Sequence, residues 1–420
     1  MMFAPLLLSL YAKGQYRASF NFDTCLKLAL ENYPLVKQKS YLEDIEKNNK
    51  KEYNGAWLPQ LMVNSTATEF SEVVSFDLPG FQAFAALFPT FYNDQYNLGV
   101  DLRQTIYDGG VTAQEKRTDA AKTESEMERN EVDIYKVKAI TLQIYSGILL
   151  AKENLKIIYS YTDALKSREQ EITSSVNNGA MLQSNLDALQ VEILNTEDKI
   201  IETKSTLNGF CQALSLLIRE PVDSSASFAY FSTRQKLSSD TVKRPEMKLF
   251  ELQQSELQEE MILANRKEQP RLYLFGSGDY GRPGYNFLDQ NFRPYGMVGL
   301  NLTWNITGLY NLHYDKENLT IRKNMIDDEK EAFLLETQST MARQSNDIEK
   351  LTQLVENDKL ILTKRAAMSK TAADHLNNGT ITASEYITQL SAEKQSAMEQ
   401  QLHEIQLAAA YISYRITTGN

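Results

Sequence analysis

Asn-Asn-Gly occurs twice, at Asn177, Asn178 and Gly179 and again at Asn377, Asn378 and Gly379. Each copy closes a very long helical pattern and opens another. Asn and Gly tolerate positive φ, so the tripeptide suits a helix C-cap followed by a reversal. The run into the first copy, from about Val111 to Val176, contains no Pro and only Gly147 as a glycine. At 1.5 Å per residue, about 66 residues make a helix on the order of 100 Å. Such a helix needs a coiled-coil or bundle partner along its length. The run into the second copy, about Leu309 to Leu376, is its match. Helices restart after each turn, with Ser184 (Asp187 three residues on) and Ser384 as the expected N-caps. Two helical hairpins with the same tip, 200 residues apart, mean a duplicated chain.

The rest of the sequence repeats with the tips. Phe22 to Tyr33 forms an amphipathic helix stopped by Pro34, and a polar helix follows from about Leu35 to Asn54. The period then changes to two, the signature of a strand. Leu61, Val63, Ser65 and Ala67 alternate with Met62, Asn64, Thr66 and Thr68. A second strand, Tyr96 to Tyr107, ends at Asp108, Gly109 and Gly110. After the first tip the return helix runs from about Met181 to Arg219, and a short apolar strand lies at Ser227 to Phe231. A third helix from about Pro245 to Lys267 then restores the length that the return helix lacks. Pro245 answers Pro34 at an offset of 211, and the strands at about Leu272 to Tyr280 and Tyr295 to Ile306 lead to Gly308. Beyond the strand loop the offset is 200, pairing Gly99 with Gly299 and Gly179 with Gly379. A final helix covers about Ser384 to Arg415. The expected organisation is a leader at 1–19, a first repeat at 20–220, a linker at 221–244 and a second repeat at 245–420. The repeats carry β-hairpins at 57–107 and 271–306 and helical hairpins at 111–219 and 309–415.

Composition excludes several classes. A net charge of −11 and a pI near 5.1 make nucleic acid a poor partner. Cys25 and Cys211 show no metal spacing and are either a disulfide or two structural thiols. His313, His375 and His403 have no paired carboxylate, Ser or Cys at catalytic spacing, and no phosphate-binding Gly-rich loop occurs. Neither an enzyme, a metal site nor a cofactor is expected. No stretch reaches the roughly 18 apolar residues of a membrane-spanning helix. Phe3 to Ala12 has the length of an export signal's apolar region, though without its basic start.

The strands point to a membrane nonetheless. Val298, Leu300, Leu302 and Trp304 alternate with Gly299, Asn301, Thr303 and Asn305, a pattern that fits a lipid-facing barrel wall with a wet interior. A half-buried sheet on a soluble domain would look similar. Two constraints favour the barrel. Four strands cannot close one, since barrels start at about eight, so several chains must contribute. The strands also sit at the ends of helices on the order of 100 Å long, beyond the cover of any globular core. A shared barrel continued by a shared helical tube meets both constraints. The rival class is a soluble periplasmic coiled-coil scaffold.

The order of these motifs resembles the TolC-like outer-membrane efflux protein family (outer membrane factors), over nearly the whole chain. The matching features are the helix from Phe22 to Pro34, Trp57 to Leu61 before the first strand, the strand-to-helix junctions Leu102 to Gly110 and Leu302 to Gly308, and the tips at Gly179 and Gly379. The resemblance implies a fold that is mainly α with four transmembrane β-strands per chain. It implies a homotrimer, with a 12-stranded β-barrel in the outer membrane continued by a 12-helix periplasmic α-barrel. By the same resemblance the tips dock a periplasmic adaptor (membrane fusion) protein and an inner-membrane RND-type pump or ABC exporter. The protein would then be a passive exit duct for efflux or type I secretion.

The family commonly places an acid six residues after the tip glycine, forming rings at the closed end. Glu385 holds that place in the second half and Asn185 in the first, with Asp374 and Asp187 as further gate candidates. The family's Tyr and Arg lock around the second tip is replaced here by Leu376 and Ile381. The alternative for these acids is an ordinary solvated helix face. The loop from Phe76 to Pro89 is unusually apolar. It could fold over the outer mouth, meet a surface lipoprotein, or pack against its symmetry copies.

Overall fold

The computed structural model describes residues 19–75, 80, 89–231 and 241–420. The proposed export signal and nearly all of the apolar loop lie outside the described residues. The elements run in chain order as β1 (Ser19–Phe20), α1 (Phe22–Asn32), a 3-10 turn (Pro34–Lys37), α2 (Gln38–Gly55), β2 (Gln60–Glu69), β3 (Asp94–Tyr107), α3 (Val111–Tyr135), α4 (Val137–Asn177) and α5 (Gln183–Ile218). They continue as β4 (Ser227–Phe228), α6 (Pro245–Lys267), β5 (Arg271–Arg282), β6 (Arg293–Thr303), α7 (Gly308–Asn377) and α8 (Ala383–Thr418). Two compact units emerge, and each draws on both repeats: Lys39–Glu128 with Lys248–Lys330, and Met1–Gln38 with Arg129–Met247 and Glu331–Asn420.

The first of these units holds a four-stranded antiparallel sheet in the order β2-β3-β5-β6. Directly opposed residues share a face, so the register sorts the side chains. One row reads Asn64, Gly99, Asp279, Tyr295 and the next Met62, Asp101, Ser277, Met297. The opposite face carries Leu61, Val63, Leu98, Val100, Leu102, Leu272, Leu274, Val298, Leu300 and Leu302. Val63 is 72% and Val298 76% exposed, so no described residue covers that face at these positions. Trp57, Tyr107 and Trp304 stand at the helix-proximal end of the strands, and Tyr96, Tyr280 and Phe292 at the loop end. The outer edges of β2 and β6 have no strand partner among the described residues.

The helices of the same unit meet through polar contacts. Asn49 donates to Asp119 Oδ1 at 2.9 Å, and Lys248 pairs with Glu128 at 2.6 Å. Gln114, Thr123, Ser125 and Glu128 are buried along α3. At the strand-to-helix junction Asp108 caps α3, accepting from Gly110 N at 2.8 Å and Thr112 N at 2.7 Å. Burial disfavours its charge, but these hydrogen bonds outweigh burial and hold its carboxyl below the ordinary value. Gly109 and Gly110 have φ of 74° and 81°, and a Cβ at Gly109 would lie 2.6 Å from Gln269 Cβ. At the second junction Gly308 leaves room for the Glu268 carboxylate, which a Cβ would overlap.

In the other unit α4 and α5 pair along an apolar seam, and α8 packs on both. Along α5 the buried positions Leu186, Leu189, Ile193, Thr196, Leu207, Cys211, Leu214 and Ile218 follow the three-four spacing of a heptad. Along α7 Met341, Ile348, Leu351, Val355, Asp358, Ser369, Ala372 and Leu376 do the same. α1 closes the far end over Tyr145, whose hydroxyl lies 2.6 Å from Ala229 O and 3.1 Å from Phe20 O. That ties the parallel β1–β4 bridge to the helices. Cys25 and Cys211 are both buried free thiols in this core, and burial, with Glu220 nearby, pushes the Cys25 thiol up to about 12.

The expected helix from Val111 to Val176 is two helices that meet at Lys136. No Gly or Pro marks the break. Lys136 remains right-handed, with φ −60° and ψ −25°, but the bond from Ile140 N to its carbonyl stretches to 3.5 Å. The preceding Tyr135 donates to Ile416 O at 2.8 Å, so the turn is loosened where α3 is tied to the C-terminal helix.

Candidate functional site: the paired helix tips

Both Asn-Asn-Gly turns form the same helix stop. At the first, Asn178 N donates to Ser174 O, Gly179 N to Val176 O and Ala180 N to Ser175 O. At the second, Asn378, Gly379 and Thr380 donate to Asp374, Leu376 and His375 in the same pattern. Gly179 and Gly379 have φ of 70° and 67°, and a Cβ at either would meet nothing within 4 Å. Glycine is therefore required by its left-handed backbone rather than by crowding. Asn177 and Asn377 are the last helical residues of α4 and α7.

The helix restarts differ from the expectation. Thr382, not Ser384, is the N-cap of α8, and it forms a reciprocal capping box with Glu385. Glu385 Oε2 accepts from Thr382 N at 2.8 Å, and Glu385 N donates to Thr382 Oγ1 at 3.2 Å. The Thr382 amide and hydroxyl together hold the Glu385 carboxyl below its ordinary value. Ser384 lies inside the helix because the Thr-x-x-Glu box satisfies two backbone donors at once. In the first tip the equivalent cap is Leu182, which has no side-chain bond to offer. Ser184 is likewise internal, and Asp187 accepts from Gln183 at 2.8 Å instead of capping.

Among the gate candidates, Asn185 and Glu385 converge on one helix end. Asn185 Oδ1 accepts from Ala383 N at 3.1 Å, next to the amide that Glu385 caps. Asp374 and Asp187 are exposed and stand outside this arrangement. Leu376 is 1% exposed and sits in an apolar cluster with Ile172, Leu186, Leu189, Ala383, Tyr386 and Leu390. Ile381 packs against it. Both positions are thus apolar and packed into the chain's own core.

Several residues here escape any sequence reading. Arg168 on α4 donates to Asn377 Oδ1 and to Glu171, and its guanidinium lies 5.3 Å from the Tyr386 ring centre. Higher up, Tyr161 donates to Glu192 Oε1 at 2.8 Å while Lys394 lies 3.7 Å from Glu192 and 4.0 Å from the Tyr161 ring centre. Burial, with Glu192 beside it, pushes the Tyr161 phenol above its ordinary value. The heptad spacing flags Tyr386 as a seam residue, but nothing local pairs it with Arg168.

No protein-family model matches the sequence, and no curated protein matches it. Solved structures do. The chain is similar to the CmeC outer membrane channel of Campylobacter jejuni, with a TM-score of 0.69 and 14% identity over 95% of this chain and 85% of that one. The outer membrane protein VceC of Vibrio cholerae gives a TM-score of 0.65 and 13% identity over 95% and 96%. The MtrE outer membrane channel of Neisseria gonorrhoeae gives 0.63 and 12% over 95% and 89%. At such identities the likeness is one of fold. The fold is that of these outer-membrane channels: a mainly helical chain carrying a four-stranded antiparallel sheet and duplicated helical hairpins.

Proposed function

We propose that the protein is an outer-membrane channel, the passive exit duct of a tripartite efflux or type I secretion system. Three copies share a 12-stranded barrel in the outer membrane and a 12-helix tunnel in the periplasm. The observation that carries this reading is the four-stranded sheet, which among the described residues has an uncovered apolar face, a polar opposite face, two bare edges and aromatic residues at both ends. Lipid is the solvent that suits such a face, and bare strand edges in lipid must be paired by further chains. β2 runs antiparallel to β6 across the sheet, so the β6 edge of one copy suits the β2 edge of the next.

The tips at Asn177, Asn178, Gly179, Asn377, Asn378 and Gly379 are the proposed docking surface for a periplasmic adaptor, which couples the duct to an inner-membrane pump or ABC exporter. Asp374 and Glu385 supply negative charge at the periplasmic mouth, Glu385 while also capping α8. Gly109, Gly110 and Gly308 turn the barrel strands into the tunnel helices. Outer-membrane lipid surrounds the barrel, and the duct itself needs no cofactor.

The first test is the protein mass of the detergent-extracted particle by light scattering. Three copies of the 47.9 kDa chain are expected. A monomer, or a protein that carbonate strips from membranes, would overturn the reading in favour of a soluble coiled-coil scaffold.

A further inference from the structure

We infer that Tyr285 sets the size of solute that can pass the outer mouth of the duct. The loop between β5 and β6 lays this ring across the polar face of the sheet. In the channel reading, on which this rests, that face is the lumen wall.

The strand fixes the geometry. β5 ends at Arg282, and at about 3.3 Å per residue Ser277 lies about 16 Å back down the strand. The Tyr285 hydroxyl nevertheless lies 3.3 Å from Ser277 Oγ. The chain beyond Arg282 therefore doubles back along the sheet instead of standing above it. Its neighbours fix the face on which it lies. The Tyr285 ring stands edge-on to Tyr295, with centres 4.9 Å apart and planes at 67°. A Cβ at Gly284 would lie 2.9 Å from the same Tyr295 ring. Ser277 and Tyr295 both belong to the polar face, in the rows of Asp101 and Asp279. The rest of the loop holds this position. Asp289 N donates to Asn286 O at 3.0 Å, and Gln290 Nε2 donates to Phe287 O at 2.7 Å. Phe287 stacks on Phe91 with centres 6.5 Å apart, and Tyr92 N donates to Gln290 Oε1 at 3.4 Å. Arg293 pairs with Asp289 where β6 begins. Phe292 is already back against Tyr96 and Tyr280 on the apolar face. The loop dips over the polar face and returns.

Width decides what this ring does. Twelve strands about 4.8 Å apart and tilted about 40° enclose a lumen about 24 Å across between backbones. Wall side chains fill part of that width, and a loop laid over them in each copy adds a second layer from every side. Tyr285 is 56% exposed, so its ring is a surface that a passing solute meets and not part of a packed core. Removing the ring widens the passage without opening the wall, because no strand pairing depends on it. Small solutes pass in either case. Bulky ones depend on Tyr285.

The test uses the full-length protein in the outer membrane of intact cells. Asn301→Cys is the reporter, since Asn301 is exposed on the polar face, nearer the helices than Ser277 or Tyr295. Cys25 and Cys211 are buried and stay in place. A small charged thiosulfonate tests the channel reading by itself. It should label Asn301→Cys and spare Val298→Cys on the apolar face, and the reverse would sink that reading. A maleimide carrying a bulky polyethylene glycol chain, added outside the cells, then tests Tyr285. It should label Asn301→Cys slowly, and several-fold faster once Tyr285→Ala is added. Equal rates in the two proteins, fast or slow, would overturn the proposal. Tyr280→Ala removes a ring near the same height from the opposite face and should leave the rate unchanged. A rise as large as that from Tyr285→Ala would mean general loosening and would also overturn it. Should Tyr285→Ala not reach the membrane, Tyr285→Ser replaces it, read the same way.

Discussion

The side chain of Asn185 in the first hairpin accepts a hydrogen bond from the backbone N–H of Ala383 in the second, at 3.1 Å. Its counterpart at the 200-residue repeat, Glu385, caps the neighbouring amide of Thr382. Two residues equivalent by duplication thus serve one helix N-terminus. An α-helix leaves its first four N–H groups unpaired, and α8 uses both repeats to satisfy them. Replacing Asn185 by Ala removes an acceptor from a part-buried amide and should cost about 1 kcal/mol. Asn185→Asp keeps the acceptor and adds a charge favoured at a helix N-terminus, so it should melt close to the wild type. Thermal denaturation of the purified protein ranks the three proteins, and equal loss in both variants would remove Asn185 from this role.

Glu385 gives the tip a pH dependence with a defined sign. Its folded pKa lies below the ordinary 4.5 because Thr382 donates to the ionised form. A depressed carboxyl stabilises fully above the unfolded value and loses that contribution as pH falls through the folded one. Wild type should therefore melt above Glu385→Gln at pH 7, and the gap should close as the pH drops below about 4.5, toward the folded value. A gap that stays constant down to acid pH would mean that the carboxylate charge has no part in the cap.

Much of this fold is visible in the sequence because it follows from period and punctuation. The heptad spacing, the period-two strands and the Asn-Asn-Gly stops are local signals, and the duplication makes each of them count twice. The contacts that join the tips are not local. Arg168 with Asn377 and Asn185 with Ala383 are separated by 209 and 198 residues, and no periodicity couples them. The caps illustrate a finer limit. Ser184 and Ser384 are good capping residues, yet the helix starts two residues earlier at 382, where Thr and Glu stand at capping-box spacing. Leu182 then inherits the equivalent place in the first repeat with no polar group to offer. The break at Lys136 leaves no mark in composition, since no Gly or Pro stands there.

The four-stranded sheet makes a steric prediction. Gly99 lies opposite Asp279 across β3 and β5, and a Cβ at Gly99 would overlap the Asp279 carboxylate. That carboxylate accepts from Asn97 at 3.1 Å, while Asn64 donates to Asp101 on the same face. Gly99→Ala should displace Asp279 and cost about 1–3 kcal/mol, as overpacking does. Asp279→Ala removes the obstruction, so the double variant should lose less than the sum of the two single losses. Thermal denaturation of the detergent-extracted protein reads the ranking. Strict additivity would show that the glycine is not there to make room for the acid.

The last prediction concerns the polar layers in the second hairpin. His403 Nδ1 lies 2.7 Å from Asp358 Oδ2, and the Asp358 side chain is 9% exposed. Asp358 occupies a seam position between Val355 and Leu362, where the heptad otherwise calls for an apolar residue. A little further along, Gln344 donates to Ser413 at 2.9 Å. A carboxylate only accepts, so His403 supplies the proton and each group satisfies the other. Removing one partner strands the second, at a cost of about 1–3 kcal/mol for a neutral donor and more for a charged group. His403→Leu should therefore be worse than Asp358→Leu, because it leaves the carboxylate alone in the seam. The double Leu variant should recover stability toward the wild type or beyond, since a hydrophobic pair of similar volume often replaces a buried polar one without loss. If that variant is stable but assembles with altered helix pairing, seen as shifted cysteine cross-links between α7 and α8, then the pair sets register as single polar residues do in coiled coils. Unchanged pairing with raised stability would reduce the pair to a tolerated polar contact.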